Sequence, residues 1–274
     1  MKKVVLNILL VFGLPWPILA QKLHEIQVNS IKAPVNTRID GKPKEWLGAF
    51  QAYNPKTELY YTISNDNTNL YLIVQARTID VIQKVLYGGI SFTVSTSGIK
   101  TDSNNVEITF PAYTKGYSSW MVNLEDLKEV RKNIGVNKKV VDSFVNLRNS
   151  QIDSKLKLIG VSGVKLTNDS LLSVYNEEGI NVKSKFSSNV AYTYELAFPL
   201  KLLANNGINL NKFSYKIRVN GASTRNVIIE VDQDRKRIFV NGVNKDNYVW
   251  PLTANYLNLA FSTEFWGQYV LFTK

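Results

Sequence analysis

The chain has no cysteine and a single histidine, His24. Without cysteine there is no disulfide framework, no thiolate nucleophile and no thiol for lipid attachment at a processed N-terminus. With one histidine near the start of the chain, Ser-His-Asp and Cys-His catalysis are excluded, as is a zinc site of the usual His and Cys ligands. Acidic residues are in the minority, 22 against 33 lysines and arginines, giving a net charge of +11. The basic residues are scattered, with no block longer than Arg235-Lys236-Arg237. Scattered charge reads as solubility rather than as a binding tail, and without a binding-module motif nucleic acid is not an expected partner.

Long apolar runs are also scarce. The one that stands out is Val4 to Leu14, preceded by Lys2 and Lys3 and followed by Pro15, Pro17 and Ala20. A spanning helix needs about 20 apolar residues, so residues 1–20 read as a secretory signal peptide cut between Ala20 and Gln21, in preference to an uncleaved anchor. The expected location is periplasmic or secreted. Cleavage leaves 31 basic and 22 acidic residues, a net charge of +9. A basic exported protein could meet lipopolysaccharide, acidic glycans or membrane surfaces.

What the chain does have is many short β-branched and aromatic runs between Asn, Asp, Gly and Ser turns. Leu59–Ile63 and Leu70–Ala76 flank the polar Ser64–Asn69 segment and predict a hairpin. Gly89–Ser95 alternates, which puts Ile90, Phe92 and Val94 on one face. Further strands are expected at Val106–Phe110, Leu156–Val161, Leu171–Tyr175, Ala191–Phe198, Tyr215–Val219, Val227–Val231, Ile238–Val240 and Leu257–Phe261, and Phe265–Tyr269 reads as a closing edge strand. Leu124, Leu127, Val130 and Ile134 recur at helical spacing, with Asn123 as cap and Gly135 as stop. Pro199 to Gly207 predicts a short helix between strands. The expected fold is all-β, an antiparallel β-sandwich with one or two short helices. It forms a single domain over residues 21–274, with a polar, partly helical excursion at about 115–155.

Three segments in order carry a resemblance: Asp40-Gly41 followed by Trp46, Asn65-Asp66 followed by Asn69-Leu70-Tyr71, and Tyr192-Thr193-Tyr194-Glu195-Leu196-Ala197-Phe198-Pro199-Leu200. Together they resemble the family 9 carbohydrate-binding module and its DOMON-like relatives, over roughly residues 35–110 and 155–262. The long excursion is similar to enlarged versions in exported Bacteroidota proteins. The resemblance implies a sugar ring clamped between two aromatic faces, with polar side chains fixing its hydroxyls. It gives one clamp role to Trp250, which precedes Asn258-Leu259-Ala260-Phe261, the expected last core strand. The other clamp position, shortly before Gly89–Ser95, holds no tryptophan; Tyr87 is the aromatic there. Gly88-Gly89 stands where the family usually opens that strand with an acid. DOMON relatives also bind haem through Met and His, for which this chain offers Met121 and His24.

The resulting expectation is an exported, non-catalytic module that binds a glycan or oligosaccharide. Its candidate contacts are Trp250, Tyr87, Trp120, Asn220 and Arg225. Trp120, in an aromatic and polar loop, reads equally as a binding residue and as a loop folded over the core. The alternatives are a structural or protein-interaction module of the cell envelope and, last, a carboxylate-only glycoside hydrolase; no motif nominates a catalytic pair. No cofactor is assigned. Calcium stays open, although Asp232-Gln233-Asp234 reads as a hairpin turn because it lacks a calcium loop's glycine and spaced acids. Trp46 reads as a core plug. Glu195, if it faces inward, needs a partner, and Arg218 is the expected one.

Overall fold

The computed structural model describes residues 22–46, 50–96, 105–114, 122, 124, 126–165, 170–221, 229–231, 238–240, 243–244, 259 and 261–273. Two antiparallel sheets lie face to face. The smaller contains β1 (Ala52–Asn54), β2 (Leu59–Asn65), β3 (Asn69–Ala76), β8 (Asn181–Phe186) and β9 (Tyr192–Pro199), in the order β1-β2-β3-β9-β8. The larger contains β4 (Ile90–Ser95), β5 (Val106–Phe110), β6 (Leu158–Ser162), β7 (Leu171–Ser173), β10 (Lys212–Val219) and β14 (Thr263–Val270), in the order β14-β10-β4-β5-β6-β7. A third, small sheet joins β11 (Ile229–Val231), β12 (Ile238–Val240) and β13 (Val243–Asn244). This is a β-sandwich.

Alternation builds the core. Tyr61 and Ile63, Leu70, Leu72 and Val74, and Tyr194 and Leu196 face in from the smaller sheet. Ile90, Phe92, Val94, Tyr215 and Ile217 meet them from the larger one, in one continuous buried cluster. The predicted hairpin is formed, with Leu59 opposite Ala76 and Asn65 opposite Leu70. The two layers are also joined by a polar contact, since the hydroxyls of Tyr61 and Tyr215 lie 3.0 Å apart in the interior. A buried hydroxyl pair satisfies two groups that would otherwise each lose hydration without compensation.

The central strands β3 and β9 of the smaller sheet are buried on both faces. The outer side of this sheet is covered by the chain before β1, where Ala33, Trp46 and Phe50 pack on Tyr71, Ile73 and Ala197. Trp46 is thus the core plug expected of it, in a second cluster rather than the central one. Glu195 lies on this covered side of β9, opposite Ile73 of β3 and Lys183 of β8. The expected Glu195–Arg218 ion pair does not form. Arg218 is on the other sheet and binds Glu264, Nε to Oε2 2.6 Å. Glu195 Oε2 instead accepts the backbone N–H groups of Asp40 (3.0 Å) and Gly41 (2.8 Å).

Four helices decorate the sandwich among the described residues: α1 (Ile79–Gly88), α2 (Leu127–Lys132), α3 (Lys138–Lys155) and α4 (Leu200–Asn205). The expected helix around Leu124–Ile134 is shorter than its spacing suggests. Leu124, Leu127 and Val130 are buried, whereas Ile134 is exposed after the helix has ended. α3 begins at Asn137, whose side chain accepts from Val140 N–H, and it buries Val141, Phe144 and Ile152. Residues 126–155 of the polar excursion are thereby packed on the sandwich. α3 also replaces the first residues of the strand expected at Leu156–Val161, since Leu156 is its C-terminal cap. α1 went unpredicted, yet Val81, Ile82, Val85 and Leu86, all buried, have helical spacing.

One expected strand is a correction. At Leu257–Phe261 the described residues do not form a strand: Leu259 is helical, and Phe261 lies in a bend, half exposed. The run misleads because Leu257, Ala260 and Phe261 are also spaced i, i+3, i+4, the period of a helix face. Among the described residues the last strand is β14, which lies at the sheet edge and pairs with β10, as expected of Phe265–Tyr269. No helix of the described residues is long and apolar enough to cross a membrane.

Candidate functional site

The outer face of the larger sheet carries an ordered set of polar side chains. In β10, Phe213, Tyr215, Ile217 and Val219 are in the core, so Ser214, Lys216 and Arg218 point outward. The register lines them up with neighbours on the same face. One row runs Trp266, Lys216, Thr93, Glu107 and Ser162; the next runs Glu264, Arg218, Ser91, Thr109 and Gly160. Residues directly opposite across strands are close enough to bond.

They do bond. Lys216 is buried at the centre, with Nζ 3.8 Å from Glu107 Oε2 and 4.0 Å from Glu264 Oε2. Its ammonium lies 5.4 Å from the centroid of the Trp266 ring, within cation–π range. Thr93 Oγ1 donates to Glu107 Oε2 at 2.7 Å, and the hydroxyls of Ser91 and Thr109 are 2.7 Å apart. Asn220, just past the end of β10, donates from Nδ2 to Ser91 Oγ at 2.9 Å. Ser91, Thr93 and Lys216 form a closed floor. Glu107, Arg218, Glu264 and Trp266 are only partly buried and form a rim.

The turn from α1 into β4 closes one end of this ladder. Gly89 takes φ +79° there, and its carbonyl accepts the N–H of Asn220 at 3.0 Å. A Cβ on Gly88 would stand 2.0 Å from the Asn220 carbonyl oxygen. The Gly88-Gly89 pair therefore has a steric cause: Gly88 lies too close to the end of β10 for a side chain, and a Cβ on Gly89 would stand 2.4 Å from the Pro111 carbonyl oxygen. Tyr87, partly buried, is the preceding residue of α1. Next to this corner, Lys84 donates from Nζ to Thr263 Oγ1 at 3.1 Å. Burial pushes its ammonium down to about 8, against a smaller upward pull from Glu58.

Of the five residues nominated from sequence, the structure brings Tyr87 and Asn220 to one corner. Trp120, Arg225 and Trp250 lie outside the described residues. So does Met121 and the turn at Asp232–Asp234, although β11 and β12, which it joins, pair as the hairpin expected. The landmark that gave Trp250 its role, a strand at Asn258–Phe261, is not formed at Leu259 or Phe261. Sequence reasoning missed Thr93, Glu107, Lys216 and Glu264 as members of one site. The signal was present within each strand, in the alternation of Val106-Glu107-Ile108 and Tyr215-Lys216-Ile217. What no single strand reveals is which strands neighbour each other.

Glu107 and Glu264 both flank Lys216, whose Nζ lies within 4.0 Å of each. No group of three or more His, Cys, Asp or Glu side chains among the described residues is placed to hold a metal ion. Comparison with protein-family models, with curated proteins and with solved structures returned no match.

Proposed function

We propose that the chain is a non-catalytic carbohydrate-binding β-sandwich of the family 9 type, exported from the cell, whose ligand lies on the outer face of the larger sheet. The observation that carries this reading is the rim of that face. Two carboxylates, a guanidinium and an indole ring from β5, β10 and β14 stand on one face around a buried lysine. Carboxylates accept from sugar hydroxyls and arginine donates to them. Trp266 offers the apolar face on which the C–H side of a pyranose ring stacks. Trp250 joins the site by resemblance, Trp120 and Arg225 join it as loop residues nominated from the sequence, and Tyr87 and Asn220 stand at its corner.

The test is a glycan array with the full chain, followed by calorimetry on any hit. Trp266→Ala and Glu107→Gln should each weaken binding by about tenfold, the scale of one stacked ring or one charge-assisted hydrogen bond. If no oligosaccharide binds, the structural or protein-interaction reading takes its place. If a ligand binds and neither substitution matters, the site is elsewhere.

A further inference from the structure

A groove on the far side of the molecule has features the ladder does not explain. It runs between α3, the edge strand β8 and the segment from Thr37 to Lys44, and none of its lining residues belongs to the ladder. It comprises two cavities of about 420 and 690 Å³ that share Asp153, which is ion-paired with Lys183 at 2.7 Å. Lys157 and Lys183 line the first, and Lys42, Lys44 and Lys185 the second. Asp153 is the one carboxylate among these lining residues, and it is already engaged. The ring of Tyr175 stands three-quarters exposed at the mouth of the first cavity, its hydroxyl held by Lys157 Nζ at 2.8 Å.

Lysines on an edge strand often serve only to block pairing with another chain. That accounts for Lys183 and Lys185 on β8. It does not account for Lys42 and Lys44 in the turn or Lys157 after α3, which converge on the same groove from other elements. Strand addition is also obstructed at this end. Asn149 already occupies the edge, donating to Phe186 O at 3.0 Å and accepting from Phe186 N–H at 2.8 Å.

We propose that this groove is a second ligand site, for a linear oligosaccharide bearing carboxylate or sulfate groups. With Lys183 paired to Asp153, the remaining positive charge comes from Lys157 in one cavity and from Lys42, Lys44 and Lys185 in the other, so it is spread along the groove and meets successive charges on a chain rather than one small anion. The tandem cavities give the length, and the exposed Tyr175 ring gives a stacking surface for a pyranose. Amide and hydroxyl side chains in the lining, Asn181 and Ser150 among them, supply hydrogen bonds to neutral hydroxyls.

Titration calorimetry of the full chain with tetragalacturonate, with a sulfated galactan tetrasaccharide and with cellotetraose tests the proposal and separates the two sources of charge. Binding of one or both acidic chains, weakened by added salt and absent for cellotetraose, is the expected result. Lys42→Gln with Lys185→Gln should weaken it about tenfold, whereas Trp266→Ala should not change it. A second variant, Lys157→Gln with Tyr175→Ala, repeats the test from the other cavity if the first melts lower than the wild type. The proposal is overturned if neither acidic chain binds, if cellotetraose binds as well as they do, or if both groove variants keep the affinity. The ladder assignment is read separately, because only that site responds to Trp266→Ala.

Discussion

Glu195 and Gly41, far apart in sequence, are joined by a 2.8 Å hydrogen bond from the glycine amide to Glu195 Oε2. Burial pushes the carboxyl up to about 8, and the nearby charges of Asp40 and Glu45 push the same way, against the two amide donors. In the unfolded chain the group returns to an ordinary carboxyl value near 4.5. Between those values the folded protein holds a proton that the unfolded chain releases. Its contribution to stability is therefore full below about pH 4.5 and declines as pH rises toward 8. Glu195→Gln keeps an acceptor for the Gly41 amide and cannot ionise. Urea unfolding at pH 5 and pH 8 should show the variant gaining on the wild type by a few kcal/mol, of the order expected from linkage. A gap that does not change with pH would show that Glu195 is not the titrating group.

The Asp40-Gly41 turn was legible in the sequence as a turn, and Trp46 as a plug, because both follow from local chemistry. Glu195 was legible as an acid that needs a partner if it faces inward, but the partner expected for it, Arg218, is not the one it has. Arg218 and Glu195 stand on different sheets, and strand order is a tertiary fact that alternation within a strand does not encode. The same limit hid the ladder, whose floor and rim residues come from β4, β5, β10 and β14. α3 was hidden for another reason. Only Val141, Phe144, Arg148 and Ile152 of its 18 residues are buried, so its apolar stripe is thin.

Gly88 and Gly135 make a paired test of why this chain keeps its glycines. A Cβ at Gly88 meets the Asn220 backbone at 2.0 Å, whereas at Gly135 it meets nothing within 4 Å. Gly135 has only its φ of +78° to constrain it. Gly135→Ala should cost about 1 kcal/mol, the left-handed backbone penalty. Gly88→Ala should cost about 3 kcal/mol by overpacking, since backbone cannot swing aside. It should also loosen the Tyr87–Asn220 corner of the ladder. Thermal melts give the ranking, and equal losses would mean that the helix end and Asn220 do not pack this closely.

Lys84 predicts a pH dependence of opposite sign to that of Glu195. Its folded value of about 8 lies below the ordinary 10.5. Between the two the unfolded chain binds the extra proton, so wild-type stability gains as pH rises through that window. Lys84→Met removes the buried charge. Its advantage over the wild type, whatever its size at neutral pH, should shrink between pH 8 and pH 10. Denaturant titrations of both proteins across that range measure the difference directly, and a constant difference would show that Lys84 does not carry the effect.

Gly267 tests the polar contact through the middle of the sandwich. A Cβ there would come within 2.4 Å of the Tyr215 hydroxyl, the group that lies 3.0 Å from the Tyr61 hydroxyl. Tyr215 is fully buried and edge-on to Phe265, so its ring has no space into which to turn. Gly267→Ala should therefore destabilise by about 1–3 kcal/mol. Tyr215→Phe removes only the oxygen and leaves Tyr61 without this partner, at a cost of about 1 kcal/mol. In the double variant the alanine still meets the ring, whose Cζ stands as close as the hydroxyl, 2.4 Å, so losing the oxygen relieves only part of the clash. The two losses should be less than additive by about 0.5 kcal/mol in a double-mutant cycle followed by urea unfolding. Strict additivity would show that the ring carbons alone oppose the alanine.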